Sequence, residues 1–174
     1  MTNNQLIAKV LFGLEPTDFY LAKDLRSAGL PFSAGAQGNG LSRIPFSDDW
    51  NYLMRAVARC EEEGFLVKIS STTLIEDEHF NILYEGREVT KIGEVFTAVK
   101  LVCKILTAVK AEYENGDVHV CCPHCKATEQ HPQDEQRHHL QNFNLWQNLG
   151  PFHSQLLCVS CNEDFVINWK IFER

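Results

Sequence analysis

The chain has 174 residues with a formal net charge of −7 at neutral pH, seven cysteines and seven histidines. A chain of this length can bury one large core, or one medium core and a small module that needs a metal or disulfide. Residues 1–115 carry 12 basic against 16 acidic side chains, and residues 116–174 carry 4 against 7. Because neither part is basic, the sequence disfavours general binding to nucleic-acid backbones.

The first residues, MTNNQLIAKVLFGL, contain no basic segment followed by a long apolar run, so they do not resemble a signal peptide. No stretch approaches the roughly 18 apolar residues that a membrane span needs. We therefore expect a cytoplasmic protein. In a reducing compartment, closely spaced cysteines indicate metal or redox chemistry before they indicate disulfides.

Two amphipathic helices are predicted at the start of the chain. Leu6, Ile7, Val10, Leu11 and Leu14 repeat with the spacing of one helix face. A second helix is predicted to follow Thr17 and to end near Gly29, and the glycine-rich segment after it predicts a loop.

A third helix is predicted over residues 48–63, with Ser47 as its N-cap and Gly64 as its stop. One face of this helix is apolar, and we expect it to pack into a core. That face consists of Trp50, Leu53, Met54, Val57 and Cys60.

Three short strands are predicted next, over residues 65–69, 72–75 and 80–84, with polar turns between them. A long amphipathic helix follows over residues 91–113, with Cys103 as a buried apolar residue. The order of these elements predicts an α+β fold in which helices cover a small antiparallel sheet.

Two acidic runs lie in this first part of the chain, and they are candidates for a binding surface. Charge runs are usually solvated faces, so the surface is a hypothesis. Its residues are Glu61, Glu62, Glu63, Glu76, Asp77 and Glu78.

Two motifs carry a resemblance to a known family. Asp49, Trp50, Asn51, Leu53 and Met54 match a DWNxLM signature, while Lys91, Ile92, Glu94, Val95, Ala98 and Val99 match one of the form SKIEAVYxAV. On these residues, the stretch 1–110 resembles the phage ABA sandwich domain. It departs from that family in a glycine-rich insertion before Ile44 and at Arg55, where proline is common. The resemblance implies a fold and a phage origin, and hence a host cytoplasm, but no activity.

The last third of the chain contains two C-x-x-C pairs. Zinc favours four ligands in a tetrahedron, and each pair can present two thiolates from one tight turn. The 32 residues between the pairs form a long insert, which is tolerated because loop entropy grows slowly with length. The sequence therefore predicts a zinc ribbon over residues 115–174, after an α+β domain over 1–114. The predicted ligands are Cys122, Cys125, Cys158 and Cys161.

Cys121 precedes the first pair and lies on a predicted strand. Neighbouring strand residues point to opposite faces, so we expect Cys121 not to be a ligand. A rival ligand set replaces the second cysteine pair with histidines. The candidates are His131, His138, His139 and His153. A redox dithiol is disfavoured, since the βαβ context of thioredoxin-like proteins is absent.

Between the pairs, a short helix is predicted within residues 133–149, with Leu140, Phe143, Trp146 and Leu149 near one side. The same segment weakly resembles an HNH nuclease. Under that resemblance, His138 would bind a metal and His139 would activate water. The pattern is incomplete, because no histidine follows the second cysteine pair.

Four thiolates leave zinc no open position for water or substrate, so we expect a structural zinc and no enzymatic activity. The function predicted is binding to a host or phage protein, as an inhibitor or modulator of a defence or transcription protein. An acidic protein can act in this way by occupying a basic channel. The competing hypothesis is nucleic-acid recognition by stacking. It would use Trp146, Phe152, Phe165 and Trp169.

Overall fold

The computed structural model describes residues 1–32, 40–69, 73–78, 82–86, 92–114, 116–132, 140–150 and 152–169. These residues form helices and several antiparallel sheets, which confirms the predicted α+β class. None of the helices in the described ranges combines the length and apolar character needed to cross a membrane. The chain divides into two compact units, Met1–Cys103 and Lys104–Arg174. Residues 104–114, predicted as the end of the first domain, thus fall in the second unit.

The first unit begins with α1 (Asn3–Phe12), which confirms the first predicted helix, although Leu14 of its predicted face lies beyond the C-cap Gly13. The Thr2 hydroxyl accepts a hydrogen bond from the Gln5 backbone, and the Gln5 side chain accepts one from the Thr2 backbone. This reciprocal pair satisfies two amides at the helix start. The second helix, α2 (Ala22–Ser27), is shorter than predicted, because β1 (Tyr20–Leu21) precedes it and pairs with β2 (Leu41–Ser42).

The third helix, α3 (Trp50–Glu62), is capped by Asp49, whose carboxylate accepts the Asn51 amide at 2.8 Å. The prediction of Ser47 as the cap is wrong, since its hydroxyl donates to Asp48 instead. Leu53, Val57 and Cys60 are buried as predicted, together with Tyr52 and Ala56. Trp50 and Met54 are exposed, since the buried stripe is centred on positions 53, 56, 57 and 60, spaced by three and four residues.

The predicted three-stranded meander is confirmed as β3 (Leu66–Ile69), β4 (Thr73–Glu76) and β5 (Ile82–Gly86). Helix α3 packs against both α1 and β3. The long helix α4 (Ile92–Leu106) ends before the predicted residue 113. Its buried face includes Cys103, and burial raises the pKa of this thiol to about 12, as expected for a packing group.

The second unit contains two sheets, one antiparallel and one mixed. The first is formed by β7 (Glu112–Glu114), β8 (Asp117–Cys121) and β9 (Thr128–Pro132). The second contains β10 (Phe143–Asn148), β11 (His153–Cys158) and β12 (Asp164–Asn168), and β6 (Val109–Lys110) joins β12 in parallel.

The helix predicted within residues 133–149 is wrong for residues 143–148, which form β10. Phe143 faces the core, whereas Trp146 is 68% exposed at a break in the register between β10 and β11. Residues 133–139 of that prediction lie outside the described ranges.

A hydrophobic core lies inside the second unit and contains the first cysteine of each C-x-x-C pair. Phe143 and Phe165 meet edge to face at 5.7 Å between ring centres. Trp169 is 1% exposed, and its indole nitrogen donates to the Ser154 hydroxyl at 2.8 Å. The fully buried members include Val120, Cys122, Leu156, Cys158 and Ile167.

Candidate metal centre

The first C-x-x-C pair lies in the turn that joins β8 to β9. Cys122 directly follows β8, and its backbone N–H donates to the Ala127 carbonyl at 2.8 Å. Its carbonyl accepts the Lys126 amide at 3.0 Å. These bonds close the turn around Cys125 and hold both cysteines on the same side of the hairpin end.

The second pair lies in the equivalent turn between β11 and β12. The Cys158 amide donates to the Glu163 carbonyl at 3.0 Å, and the Cys158 carbonyl accepts the Asn162 amide at 2.9 Å. The offsets along the chain are the same as in the first turn. The two hairpins therefore repeat one backbone motif, which is the arrangement of a zinc ribbon.

Each turn ends in a residue with a left-handed backbone. Lys126 has φ of 66° and Asn162 has φ of 57°, and these are the non-glycine residues with positive φ in the described ranges. Asparagine tolerates this region, whereas a long side chain is strained there. The residue after the second cysteine of each pair thus adopts a left-handed backbone, and this conformation is a property of the turn and not of a bound metal.

We predict that Lys126→Gly raises the stability of the second unit by about 0.5–1 kcal/mol, because glycine removes the strain at positive φ. Asn162→Gly is the matched control, and we expect almost no change there. The measurement is the thermal unfolding midpoint of each variant with metal bound. A lower midpoint for Lys126→Gly would contradict the left-handed turn.

The four sulfur atoms of the predicted ligands form one compact group. The Sγ atoms of Cys122 and Cys161 are 3.7 Å apart, and those of Cys125 and Cys158 are 3.6 Å apart. All four lie within 4.8 Å of one another. A tetrahedral zinc with Zn–S bonds of about 2.3 Å separates its sulfurs by about 3.8 Å, whereas a disulfide requires about 2.05 Å. The spacing fits four ligands of one metal ion and excludes disulfides.

Hydrogen bonds to sulfur tune the acidity of this group. Burial disfavours the Cys158 thiolate, but hydrogen bonds from the backbone amides of Cys161 and Ser160, together with those from the Cys125 and Cys161 side chains, outweigh burial and lower the pKa of Cys158 to about 7. Desolvation, together with the neighbouring sulfurs, raises the pKa of Cys161 to about 12, and burial raises that of Cys122. The neighbouring thiols thus favour the Cys158 thiolate but oppose ionisation of Cys161 beside it, and a divalent cation would remove that opposition.

The other predicted ligands lie outside this sulfur group. Cys121 is half-buried, and its thiol points to the Cys122 carbonyl at 3.7 Å. His153 is half-buried in β11, where burial lowers its pKa, and it is not part of the sulfur group. His138, His139 and the side chain of His131 lie outside the described residues.

The acidic residues predicted as a binding surface do not share one environment. Glu61–Glu63 are exposed at the end of α3. Glu76 is only 9% exposed and forms an ion pair with Lys68 at 2.6 Å. Asp77 is partly buried, and Glu78 is exposed. An acidic surface can therefore use the α3 run, but Glu76 is largely withdrawn from solvent.

The aromatic residues of the stacking hypothesis also differ in exposure. Phe165 and Trp169 are 4% and 1% exposed, so they are core residues and offer no ring face to a base. Trp146 and Phe152 are 68% and 45% exposed. No feature of the sequence indicates this difference, because the side of a strand that faces the core depends on how the strand pairs.

Comparisons of the chain with family models, curated proteins and solved structures give no match. The interpretation of the site therefore depends on its own geometry. The resemblance of residues 1–110 to the phage ABA sandwich domain stays a prediction.

Proposed function

We propose that Cys122, Cys125, Cys158 and Cys161 bind one zinc ion in a structural role, and that the protein acts by binding a partner. The observation that carries the zinc proposal is the compact group of four Sγ atoms, in which the closest sulfurs are 3.6–3.7 Å apart. Soft thiolates select zinc among the common divalent ions. When bound, the ion holds the two hairpin turns together.

The proposed absence of enzymatic activity rests on the same ligand set. Four protein sulfurs fill the tetrahedron, so the ion has no position at which it can polarise a substrate or activate water. Cys122 and Cys158 also lie inside the core of the second unit, whereas Cys125 is exposed. The bound ion would thus stabilise the fold of the second unit.

Native mass spectrometry of the purified chain tests the metal proposal. We expect the mass of one zinc ion per chain, and cobalt in its place should give the absorption of a tetrahedral thiolate complex. A metal-free chain with an unchanged fold would overturn the proposal.

For the partner, we propose a host or phage protein with a basic surface, whose nucleic-acid binding this acidic protein inhibits. The net charge of −7 and the exposed run Glu61–Glu63 support this choice. The resemblance of residues 1–110 to a phage domain supports the host cytoplasm as the place where such an inhibitor acts. Charge complementarity would steer the encounter and make it dependent on salt.

The partner proposal is tested by pull-down from host lysate, with a variant in which Glu61, Glu62 and Glu63 are glutamine as the matched control. We expect a basic nucleic-acid-binding protein to be enriched by the original chain and lost with rising salt. Equal recovery by the glutamine variant would contradict a role for this surface.

A further inference from the structure

A candidate docking surface lies in the first unit, on a side of α3 that faces solvent. Trp50 is 40% exposed and Met54 is 44% exposed, and Ala58 is exposed as well. The three residues are spaced by four positions, so their side chains form one row along the helix. We call Trp50, Met54 and Ala58 the exposed α3 row, and it is separate in sequence from the cysteine pairs.

The exposure of this row does not come from a lack of core contacts in α3. The neighbouring face of the helix places Leu53, Ala56 and Cys60 in the core, and each of them is 0% exposed. Single apolar residues are common on protein surfaces, whereas contiguous ones mark interaction sites. Tryptophan and methionine are also enriched where proteins bind one another. The row therefore indicates a surface that a partner covers.

The two arginines of α3 are directed away from the exposed α3 row. The Arg59 guanidinium pairs with Glu62 at 2.5 Å and lies 5.8 Å from the centre of the Phe12 ring in α1. Arg55 lines a cleft on another side of the helix, together with Pro31. Helix α3 thus contributes no cation to the row.

Carboxylates lie at both ends of the exposed α3 row. Asp48 is exposed just before α3, and Glu61 is exposed about one turn after Ala58. In the part of the chain that the structure describes, Glu61 and Glu63 form no ion pair. The C-terminal end of a helix carries a partial negative charge, which disfavours further negative charge there. A cation supplied by a partner would offset this repulsion, so the charges around the row favour a basic partner.

The shape of the exposed α3 row favours a helix as its occupant. The backbone hydrogen bonds of α3 are made within the helix, so recognition depends on side chains and not on the addition of a strand. Side chains spaced by four form a ridge that fits between the ridges of a second helix. Positions 50 and 61 are about 17 Å apart at about 1.5 Å per residue, which is about three turns of such a helix.

We propose that the exposed α3 row binds a basic amphipathic helix, whose apolar side chains contact Trp50 and Met54 and whose cations pair with Glu61 and Glu63. This helix belongs to the basic partner of the proposed function, on which the assignment of the row rests. The acidic residues steer the encounter and make it dependent on salt, whereas the two apolar side chains supply most of the affinity.

Fluorescence anisotropy of a labelled peptide tests the row on the full, zinc-bound chain. The peptide is about four turns long, with leucines on one helical face and lysines on the others, and its control has glutamates in place of the lysines. We expect the glutamate peptide to bind at least about tenfold more weakly than the lysine peptide, because like charges repel. Trp50→Ala should weaken binding of the lysine peptide by at least about tenfold, since large aromatic side chains dominate such interfaces.

Trp146→Ala is the matched control, because Trp146 is an exposed tryptophan of the second unit. This variant should bind the lysine peptide as the original chain does. Met54→Lys serves as a second variant in case Trp50→Ala lowers the melting temperature. Since Met54 is exposed, we expect this variant to stay folded and to bind the lysine peptide at least about tenfold more weakly.

Two results of these titrations would overturn the proposal. One is equal binding of the lysine and glutamate peptides. The other is undiminished binding of the lysine peptide by Met54→Lys and by a folded Trp50→Ala. Sedimentation of the chain alone tests the rival occupant, and a dimer that dissociates in Trp50→Ala would identify a second copy of the chain and also overturn the proposal.

The pull-down from host lysate separates this proposal from the proposed function. If the lysine peptide binds through Trp50 but no basic partner is recovered, the docking surface is supported and the proposed function fails. If a basic partner is recovered equally by the original chain and by a folded Trp50→Ala, the proposed function is supported and the docking surface fails.

Discussion

Replacing Cys122 with serine is expected to abolish stoichiometric zinc binding and to unfold the second unit. Cys122 is fully buried in the core of that unit, and its Sγ is 3.7 Å from that of Cys161. Structural zinc contributes about 10–16 kcal/mol of apparent binding energy in small zinc domains, more than the stability of most domains of this size. We expect Cys158→Ser to behave in the same way, because Cys158 has the equivalent place in the second turn.

The matched control is Cys121→Ser, one residue earlier in β8. Cys121 is half-buried and lies outside the group of four sulfurs, so this variant should retain one zinc per chain and a folded second unit. Zinc is counted by native mass spectrometry, and folding is followed by the dispersion of amide signals in NMR. Loss of zinc in Cys121→Ser with retention in Cys122→Ser would show that the ligand register is wrong.

The four-cysteine cluster could be predicted from the sequence because the geometry of each cysteine pair is local. A C-x-x-C segment forms its turn from a few consecutive residues, and the spacing alone places two sulfurs on one side. The α3 helix is equally local, and its errors are confined to the cap and to the exposed Trp50 and Met54. Asp49 and Ser47 are both good capping residues, and the choice depends on the turn in which the Asp49 amide donates to the Pro45 carbonyl.

Two further errors of prediction fall where strand pairing competes with a helical period. Leu140, Phe143 and Trp146 are spaced by three residues, as on a helix face, but pairing with β11 makes residues 143–148 a strand. Val109 continues the apolar period of α4, yet it pairs with Ile167 in β12. A single sequence shows the spacing of apolar residues but not which strands will pair. Where pairing with another strand is more favourable, it overrides the helical spacing.

The same limit explains why the stacking hypothesis included Trp169. Its sequence neighbours suggest a terminal strand, but only the position of β12 between β11 and β6 shows that Trp169 closes the core. The hypothesis is thus reduced to Trp146 and Phe152. Trp146 is the more exposed of the two, and it interrupts the pairing of β10 with β11.

Replacing Trp169 with alanine is expected to destabilise the second unit by about 3–5 kcal/mol, because it leaves a large cavity in the core. It also removes the donor to the Ser154 hydroxyl, which accepts at 2.8 Å. Trp146→Ala is the matched control, and since Trp146 is 68% exposed, we expect a change of less than about 0.5 kcal/mol. The measurement is urea unfolding of the zinc-bound variants, followed by the circular dichroism of the second unit.

Comparing Trp146→Ala with Trp169→Ala also distinguishes a loss of stability from a loss of ligand binding. If the ribbon binds single strands by stacking, Trp146→Ala should weaken binding by about 1–3 kcal/mol at unchanged stability, because base stacking on an aromatic ring contributes that amount. If the protein acts through its acidic surface, Trp146→Ala should change neither stability nor partner recovery. A large loss of stability in Trp146→Ala would contradict its exposed position. Trp169 supports the core under either hypothesis. A loss of binding in Trp169→Ala would therefore follow from unfolding and would not show that Trp169 contacts a ligand.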